Sequence, residues 1–281
     1  MATAARPQEQ PVALHDIRDH YDQFAWAYRM YWGDHIHHGL FTTGNETPAQ
    51  AQEMLIRHCA QRAGVRPGMI VADVGCGHGG TTRFLAHEYS CNVLGLTISE
   101  TQCKLAQKLS KNHNGSAPVR FELADAEAYP FAAQHFDLVW NMESSEHFFS
   151  KPAYFRKVAA ALKPDGRLMV AAWTGSMQHE LIRQIAKVFL CPELLATDEY
   201  AQHIEDAGLK LLSREQLAAE VAPTWDICAK QIHAARPLLP FLPGKFREFA
   251  EGIELMREGY SSGQLTYSIL VAGKALVSGK A

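Results

Sequence analysis

The sequence lacks the features that would attach the chain to a membrane or to nucleic acid. None of its apolar runs approaches the ~20 consecutive residues that a membrane-spanning helix needs. Residues 1–11 are polar and contain no apolar core like that of a secretory signal peptide. A net charge of −3 and an isoelectric point near 6.5 leave no basic excess that would favour nucleic acid. We therefore expect no membrane span and no nucleic-acid partner.

Disulfide and metal-binding patterns are also missing. The six cysteines follow no spacing typical of a disulfide framework or a zinc site. Fourteen histidines are present, but no cluster of His, Cys and Asp has the spacing of metal ligands. These absences predict reduced thiols, a cytoplasmic location and no bound metal. The sequence carries no signal for an oligomeric state.

What the sequence does contain is a strand that ends in a glycine-rich turn. Apolar residues from Met69 predict a buried strand, and Gly75, Gly77 and Gly80 follow it before a helical run from Thr81 to His87. A turn of this kind brings backbone N–H groups and the positive end of a helix against a ligand. Glycine is needed there because a Cβ atom would hold the ligand away from the backbone. The stretch therefore predicts a cofactor site.

Strands and helices alternate around this turn, which predicts a parallel sheet covered by helices on both faces. Helices are expected from Thr47 to about Ala63, from a capping box at Ser99 to about Lys111, and from Tyr154 to Leu162. A turn at 163–166 is expected before the fifth strand. The predicted strands are 69–74, 92–96, 119–123, 136–141, 167–173, 209–212 and 265–272.

The chain is long and apolar enough to bury one large core, with 281 residues of which 47% are apolar. A helical block, interrupted by Pro237, Pro240 and Pro243, separates the last two strands. Such a block cannot lie in the sheet, so we expect it to fold over the carboxyl edge as a cap. The predicted organisation is a disordered tail (1–14), N-terminal lid helices (15–63), a Rossmann-like core (64–213 and 260–281) and a helical substrate cap (214–259).

An aromatic stripe precedes the core. Ile17, Tyr21, Phe24, Tyr28 and Tyr31 recur at spacings of 4, 3, 4 and 3, which predicts one face of a helix. The stripe leads into the sequence Trp-Gly-Asp-His-Ile-His-His-Gly. Two interpretations stay open: a helix that only packs on the core, or a lid that closes over the cofactor.

Two cofactors bind at a glycine turn of this kind. The pattern Gly75-x-Gly77-x-x-Gly80 fits the dinucleotide fingerprint, but a dinucleotide enzyme also places an acid on the ribose about 20 residues further on. Here the next strand ends in Thr97. Asp73 stands two residues before the first glycine, where a carboxylate can face the ammonium group of an amino acid. The missing ribose acid counts against both cofactors, so other segments have to decide.

Those segments resemble the class I S-adenosylmethionine-dependent methyltransferases, and in detail their tocopherol methyltransferase-like branch. The resemblance covers residues 15–275 and rests on Trp32-Gly33-x-His35-Ile36-His37-His38-Gly39, Gly95-Leu96-Thr97-Ile98-Ser99 with Gln102, Trp140-Asn141-Met142-Glu143-Ser144-x-Glu146-His147, and Ala222-Pro223-Thr224-Trp225. It implies a Rossmann-like, seven-stranded, mostly parallel sheet and methyl transfer from S-adenosylmethionine to a small acceptor. Relatives in this branch methylate phenols, indoles, terpenoids and alkaloids at carbon, oxygen or nitrogen. The apolar residues of the cap favour an apolar or aromatic acceptor.

The resemblance also implies roles for individual residues. Asp73 would hold the methionyl ammonium, Asp125 would bind the adenine amino group, and Met142 would flank the sulfonium. Gln102 would reach the ribose, although the capping box of Ser99 is an alternative use for it. The full set of implied cofactor contacts is Tyr21, Asp73, Gly75, Cys76, Gly77, Thr97, Ile98, Gln102, Asp125, Ala126 and Met142. The implied acceptor contacts are Trp32, His37, His38, Glu143 and Trp225.

Methyl transfer from a sulfonium is an in-line displacement that depends mainly on alignment and on the exclusion of water. A general base adds to the rate if the acceptor is a phenol or an activated carbon. His147, after the fourth strand, is the candidate base because imidazole titrates in the useful range, and Glu146 is its candidate partner. The alternative is that Glu146 only orients its neighbours and that His147 only contacts the start of a helix.

Three other functions compete with this one. The Leu-Thr-Ile-Ser turn and the Glu146-His147 pair also resemble cyclopropane fatty acid synthases. Their bicarbonate-binding histidine falls at Ala171 and their cysteine at His38, so we reject that activity. A nicotinamide dehydrogenase would need a ribose acid and a Tyr-x-x-x-Lys pair. A cofactor-binding protein without catalysis stays an alternative, although it leaves the polar residues at the end of the fourth strand unexplained.

Overall fold

The computed structural model describes residues 12–111, 117–235 and 244–274. Its strands are β1 (Ile70–Val74), β2 (Asn92–Thr97), β3 (Val119–Leu123), β4 (Phe136–Met142), β5 (Leu162–Gly175), β6 (Leu209–Gln216) and β7 (Leu265–Lys274). They form one sheet with the order β3-β2-β1-β4-β5-β7-β6. Strands β1 to β5 run parallel, and β7 is antiparallel to both of its neighbours. The predicted seven-stranded, mostly parallel sheet is confirmed.

Helices precede the sheet and connect its strands. They are α1 (Leu14–Trp32), α2 (Pro48–Ala63), α3 (Gly80–Tyr89), α4 (Glu100–Ser110), α5 (Lys151–Ala161), α6 (Glu180–Val188), α7 (Thr197–Asp206), α8 (Ala218–Val221), α9 (Pro223–Ala235) and α10 (Gly244–Ser261). A single 3₁₀ turn, Ser145–His147, follows β4. The aromatic stripe of the N-terminal segment therefore lies on a helix, as its spacing predicts.

The sheet separates two apolar cores because successive side chains on a strand point to opposite faces. On β4, Leu138 and Trp140 lie in the core shared with α2, α3 and α6, whereas Val139 lies in the core shared with α5 and α7. On β1, Val71 lies in the first of these cores and Ala72 in the second. A strand buried on both faces needs an uninterrupted apolar run, which is what the sequence shows at these strands.

The strand order reverses beside β1, since β2 lies on one side of it and β4 on the other. Open α/β sheets bind their ligands at such a switch point, outside the carboxyl ends of the strands. Val74, Thr97 and Met142 end β1, β2 and β4 at this edge. The polar residues that follow these strands in the sequence are therefore brought together there.

The sequence signals for helix starts are confirmed at α2 and only partly at α4. At α2, the Thr47 hydroxyl accepts from the Gln50 N–H and the Gln50 side chain accepts from the Thr47 N–H, a complete capping box. At α4, the Ser99 hydroxyl accepts from the Gln102 N–H, but the Gln102 side-chain oxygen accepts from Thr97 instead. The capping role expected for the Gln102 side chain is wrong, and this side chain is free to serve a ligand.

The turn expected at 163–166 does not precede the fifth strand. These residues belong to β5, which begins at Leu162, and the pairing of β5 with β4 shifts its register there. Gly166 permits the close approach, because a Cβ atom at that position would lie 2.8 Å from the Phe136 carbonyl oxygen. Pro and Gly in this stretch thus mark an irregular strand, which sequence alone does not distinguish from a turn.

Two expectations fall on parts of the chain outside the described residues. These are the disorder of residues 1–11 and the prolines between the cap helices, which lie in 236–243. The division of the chain into lid, core and cap stays a prediction. No helix within 12–111, 117–235 and 244–274 is long and apolar enough to cross a membrane. All six cysteines are free and buried.

Gly80, at the start of α3, is the most tightly packed glycine of the cofactor turn. A Cβ atom there would lie 1.8 Å from the Asp34 carbonyl oxygen and 3.0 Å from His35 Nδ1. We predict that Gly80→Ala displaces this segment and lowers the free energy of unfolding by about 1–3 kcal/mol, measured by urea denaturation. Gly263→Ala is the control, because nothing lies within 4 Å of that position and only its φ of +72° is strained. A Gly80→Ala variant that keeps the wild-type free energy of unfolding would contradict the packing argument.

Candidate active site

The glycine turn after β1 is fixed by the end of β2. The Gly75 N–H donates to the Leu96 carbonyl oxygen at 2.9 Å. Gly75 and Gly77 have φ values of +76° and +55°, in the left-handed region that favours glycine. A Cβ atom on Gly75 would lie 2.2 Å from Cβ of Ser144, whereas one on Gly77 would meet only Ile36, at 3.6 Å. The first glycine of the turn, Gly75, is therefore packed against the segment that follows β4. The second, Gly77, has open space beside it.

Asp73, at the end of β1, is the acidic group below this turn. It is only 3% exposed, and its Oδ2 accepts from the Thr82 hydroxyl at 2.5 Å. Burial raises the pKa of Asp73 to about 7, although the Thr82 hydrogen bond works in the opposite direction. A buried carboxylate without a nearby cation is unfavourable. The site therefore favours a ligand with a positive charge, such as the methionyl ammonium of S-adenosylmethionine.

Asp73 lines a cavity that we call the glycine-turn cavity. Three imidazole nitrogens of its lining, His35 Nδ1, His37 Nε2 and His78 Nδ1, are buried and have no partner within the described chain. Burial lowers the pKa of His35 to about 2 and that of His78 to about 4, so both rings are uncharged. Unpaired polar atoms around a cavity indicate a polar ligand. The predicted cofactor residues in this lining are Asp73, Gly75, Cys76, Gly77 and Met142.

A second cavity, the edge cavity, extends from the same turn along the carboxyl ends of β2 and β3. Gln102 is 3% exposed in its lining; its side-chain oxygen accepts from the Thr97 hydroxyl at 3.2 Å, and its side-chain nitrogen has no partner within the described chain. A ribose hydroxyl would satisfy this buried donor. The predicted cofactor residues in this lining are Tyr21, Gly75, Gly77, Thr97, Ile98, Gln102, Asp125 and Ala126.

Helix α1 is tied to the start of α4 beside the edge cavity. The Asp22 carboxylate accepts from the Ser99 hydroxyl at 2.6 Å and from the Thr101 N–H at 2.9 Å. Burial opposes ionisation, but these bonds prevail and lower the pKa of Asp22. A carboxylate at a helix N-terminus is also favoured by the helix dipole. Asp22, which the sequence analysis missed, holds Tyr21 beside the cofactor site, while movement of this segment as a lid stays a prediction.

A third cavity, the aromatic cavity, contains the predicted acceptor residues. The Trp225 ring meets Phe189 at a centroid distance of 5.6 Å and Trp32 at 6.2 Å, both edge-on. Aromatic walls with a few polar groups suit a flat, largely apolar molecule. The six rings of the wall belong to Tyr21, Tyr28, Trp32, Trp173, Phe189 and Trp225. The polar groups come from His37, His38, Glu143, Thr224 and His147.

Glu143 is held by a buried hydrogen-bond network. Its carboxylate accepts from the backbone N–H and Nδ1 of His38, both at 2.8 Å, and from the Tyr267 hydroxyl at 2.9 Å. His38 Nε2 accepts from the Trp225 indole N–H at 2.7 Å and lies 3.0 Å from the Tyr260 hydroxyl. Because an indole nitrogen only donates, His38 carries its hydrogen on Nδ1 and has no free lone pair. Burial opposes ionisation of Glu143, but the contacts with His38 prevail and lower its pKa.

His147 lies where the edge cavity and the aromatic cavity meet. Its Nδ1 is 3.2 Å from the Leu190 carbonyl oxygen, which can only accept, so Nδ1 carries the hydrogen. Its Nε2 is 2.9 Å from the Tyr21 hydroxyl, which therefore donates to it. Burial lowers the pKa of His147 to about 4, and the Leu190 hydrogen bond offsets this only in part. The neutral ring can accept a proton.

Glu146 is the one predicted site residue that lines none of these three cavities. It is fully buried, and its Oε1 accepts from the Trp173 N–H of β5 at 3.0 Å. Burial, with a contribution from Glu143, raises the pKa of Glu146 to about 8. The nearby Lys151 is also buried and donates to three backbone carbonyl groups. These contacts anchor the turn that carries His147, while Oε2 of Glu146 is buried without a partner in the described chain. The catalytic role expected of Glu146 stays a prediction.

Several residues of the site were missed by the sequence analysis. Ile36 lines all three cavities, and its place within a quoted motif was a usable signal. Tyr267 reaches Glu143 from β7, which is 124 residues away in sequence, and no local pattern indicates that contact. Among the residues that the structure describes, no group of three or more His, Cys, Asp or Glu side chains could hold a metal ion.

Comparisons with known proteins identify the family of the chain. Residues 8–240 match the family model described as mycolic acid cyclopropane synthetase. The chain is 27% identical to the chloroplastic tocopherol O-methyltransferase of Arabidopsis thaliana, over 98% of this chain and 86% of that protein. It is 29% identical to the 27-O-demethylrifamycin SV methyltransferase of Amycolatopsis mediterranei, over 84% of this chain and 92% of that protein.

Solved structures show the same fold. The cyclopropane synthase MmaA2 from Mycobacterium tuberculosis superimposes with a TM-score of 0.82 at 22% identity, over 95% of this chain and 100% of that chain. The [4+2]-cyclase SpnF gives a TM-score of 0.81 at 20% identity, over 95% of this chain and 98% of that chain. At these identities the likeness concerns the fold alone.

Asp73 provides a direct test of the cofactor site. We predict that Asp73→Asn weakens S-adenosylmethionine binding by about 1.5–3 kcal/mol, because a charged hydrogen bond in a buried site is lost. In the wild type, Asp73 must be ionised to hold the ammonium, so the affinity should increase as the pH rises through about 7. The variant should lose that dependence. Isothermal titration at several pH values measures both effects, with the exposed Asp165→Asn as control. Unchanged affinity in a folded Asp73→Asn would remove Asp73 from the site.

Proposed function

The chain belongs to the mycolic acid cyclopropane synthetase family, whose relatives here are S-adenosylmethionine-dependent methyltransferases, and we propose that it methylates a small acceptor in the aromatic cavity. The observation that carries the proposal is the meeting of the three cavities. Ile36 lines all of them, and Tyr21, Glu143 and His147 line both the edge cavity and the aromatic cavity. A cofactor lying across the glycine turn would meet an acceptor at these residues.

The residues present fit S-adenosylmethionine. Asp73 would hold the ammonium group, Gln102 the ribose, Asp125 the adenine amino group, and Met142 the region of the sulfur. The support comes from the buried carboxylate of Asp73, the unpaired amide nitrogen of Gln102 and the open space beside Gly77 in the turn. When bound, the cofactor supplies a methyl group on a positively charged sulfur.

Most of the rate would come from alignment in a dry site. Holding two reactants at near-attack distance is worth up to ~7–11 kcal/mol. The ring walls of the aromatic cavity, among them Trp32 and Trp225, would exclude water from the acceptor. The ionised Glu143 lines both cavities, so its negative charge would favour the positive sulfur at their junction.

We propose that His147 is the general base and that Glu146 positions it. The Leu190 carbonyl oxygen fixes the ring with Nε2 as its accepting nitrogen, and Nε2 takes a hydrogen bond from the Tyr21 hydroxyl. A base of this kind adds ~10²–10⁴-fold to the rate when the acceptor must lose a proton. Glu146 would act through its bond to β5, which holds the turn before His147.

The acceptor that we propose is a small aromatic or apolar compound of the phenolic, indolic or terpenoid kind. Its support is the aromatic cavity, together with the names of the relatives, which refer to O-methylation of a tocopherol and of a rifamycin. Methylation at oxygen, carbon or nitrogen is compatible with a neutral imidazole base. The free, buried cysteines suit a reducing compartment, and we propose the cytoplasm.

Cyclopropane formation is a weaker proposal for this chain in spite of the family's description. The residue at its bicarbonate-binding histidine is Ala171, which has no side-chain donor, and His38 uses both ring nitrogens for Glu143 and Trp225. A nicotinamide dehydrogenase is weaker because Thr97 ends β2 where its ribose acid would stand. A binder without catalysis would not need the neutral, oriented imidazole of His147.

Screening phenolic, indolic and prenylated acceptors with methyl-labelled S-adenosylmethionine tests the activity. With an acceptor in hand, we predict that His147→Ala lowers turnover by ~10²–10⁴-fold while the cofactor Kd stays within about twofold, because the base acts only in the transition state. The wild-type rate should rise with pH on an acid limb near pH 4, set by the lowered pKa of His147, and the variant should lose that limb. Full turnover with an unchanged limb would show that His147 is not the base.

A further inference from the structure

The proposed base does not present its lone pair to the acceptor directly. His147 Nε2 accepts a hydrogen bond from the Tyr21 hydroxyl at 2.9 Å, and the two rings meet edge-on at a centroid distance of 5.5 Å. The opposite nitrogen is held by the Leu190 carbonyl oxygen, so the ring cannot flip without losing that bond. Tyr21 lines both the edge cavity and the aromatic cavity. Its hydroxyl therefore occupies the lone pair through which His147 would receive a proton, and its own oxygen belongs to a residue that lines both cavities.

We propose that Tyr21 is a catalytic proton relay, which takes the proton of the acceptor and passes its own to His147. This inference rests on the proposed methyl transfer and concerns acceptors that react through an O–H or N–H group. The acceptor's bond to hydrogen breaks, and its electron pair forms the new bond to the methyl group. The methyl–sulfur bond breaks with its electron pair staying on sulfur. The acceptor's proton goes to the Tyr21 oxygen, the Tyr21 proton goes to His147 Nε2, and the imidazolium later loses a proton to water.

The surroundings favour a relay over a phenolate intermediate. Burial, followed by the charges of nearby acids, raises the pKa of Tyr21 well above its ordinary value, so its oxygen would not stay ionised. In a relay it gains one proton as it gives up another and remains neutral throughout. The titratable groups that act on Tyr21 are Tyr28, Cys191, Glu146 and Glu143. Those that face His147 are Lys151 and Cys191, the latter with its Sγ 3.9 Å from Nδ1. Lys151 lowers the pKa of His147, whereas the Leu190 carbonyl oxygen favours the imidazolium that forms.

Two other histidines in the aromatic cavity are rivals for the proton. His38 is excluded because the Trp225 N–H occupies its Nε2 lone pair. His37 donates from Nδ1 to the His38 carbonyl oxygen at 2.7 Å, and its Nε2 is buried without a partner in the described chain. His37 lines the glycine-turn cavity as well as the aromatic cavity, whereas Tyr21 and His147 line the edge cavity and the aromatic cavity. His37 is therefore the alternative receiver that the experiment must separate.

The kinetic test compares Tyr21→Phe, His147→Ala and the double variant at saturating cofactor and acceptor. If the two residues act as one unit, each single variant should lose ~10²–10⁴-fold in kcat. The double variant should then lose no more than either single one. The wild-type rate in mixtures of light and heavy water should depend quadratically on the deuterium fraction, because two protons move together. Tyr28→Phe is the matched control: it removes a hydroxyl from the same cavity, but that hydroxyl contacts His20. The Tyr28→Phe variant should keep the quadratic dependence of the rate on the deuterium fraction, whatever its effect on KM.

A second measurement needs no turnover. In protein labelled with ¹⁵N-histidine and saturated with S-adenosylhomocysteine, the Nε2 resonance of His147 should be that of a hydrogen-bonded, unprotonated nitrogen. It should shift in Tyr21→Phe and not in Tyr28→Phe. An unchanged Nε2 resonance in Tyr21→Phe would show that the hydrogen bond does not exist in the cofactor-bound protein and would overturn the relay.

The outcomes separate the relay from the proposed function. If the wild type methylates no acceptor, both fall together, since there is no proton to move. If the wild type turns over but Tyr21→Phe keeps its kcat, or the wild-type isotope dependence is linear, the relay alone falls and His147 acts directly. If His37→Gln loses the acid limb of the pH profile while Tyr21→Phe keeps it, the proton goes to His37 and the relay is wrong.

Discussion

The carboxylate of Glu143 joins the parts of the chain that form the active site. It follows β4 at the sheet edge and bonds to His38 of the N-terminal segment and to Tyr267 of β7. Through His38 the network continues to Trp225 of α9 and to Tyr260 of α10. A buried charge is tolerated only when its oxygens are all paired, so these elements must stay together for Glu143 to stay ionised. The aromatic cavity exists because this one requirement places its walls around the same point.

Burial also decides which polar groups are free to react. The imidazoles of the site are shielded from water, and burial keeps His35, His78 and His147 uncharged. A neutral imidazole offers one lone pair, and the partner of its other nitrogen decides which one it is. The carbonyl group of Leu190 makes Nε2 of His147 the accepting nitrogen, whereas Trp225 uses the lone pair of His38. Histidines that are similarly buried thus differ in reactivity, because a single contact with a backbone carbonyl or an indole decides whether a ring nitrogen can still accept a proton.

Local signals in the sequence predicted the sheet and the glycine turn, and the family resemblance indicated residues that line the glycine-turn and edge cavities. A glycine turn after an apolar strand, acids after strand ends and the Thr47 cap each depend on neighbours within a few residues, and the structure places them as expected. Contacts between distant segments have no such signal. The bonds of Asp22 to α4 and of Tyr267 to Glu143 depend on the packing of whole elements, and sequence analysis missed both. The bond of Glu146 to Trp173 was missed for the same reason, because it is visible only after β5 pairs with β4, and the catalytic role expected of Glu146 stays a prediction.

The family to which the chain belongs indicates the cofactor more firmly than it indicates the reaction. The glycine turn and the strand ends that serve the cofactor are backbone features, which relatives at low identity can share with the fold. The chemistry depends on side chains at two or three positions of the aromatic cavity. At one of them His38 is committed to Glu143 and Trp225, so a small anion would find no free donor on this ring. The oriented Tyr21–His147 pair is what remains at the junction to receive a proton. The proposed relay therefore favours an acceptor that gives up its own proton over an alkene.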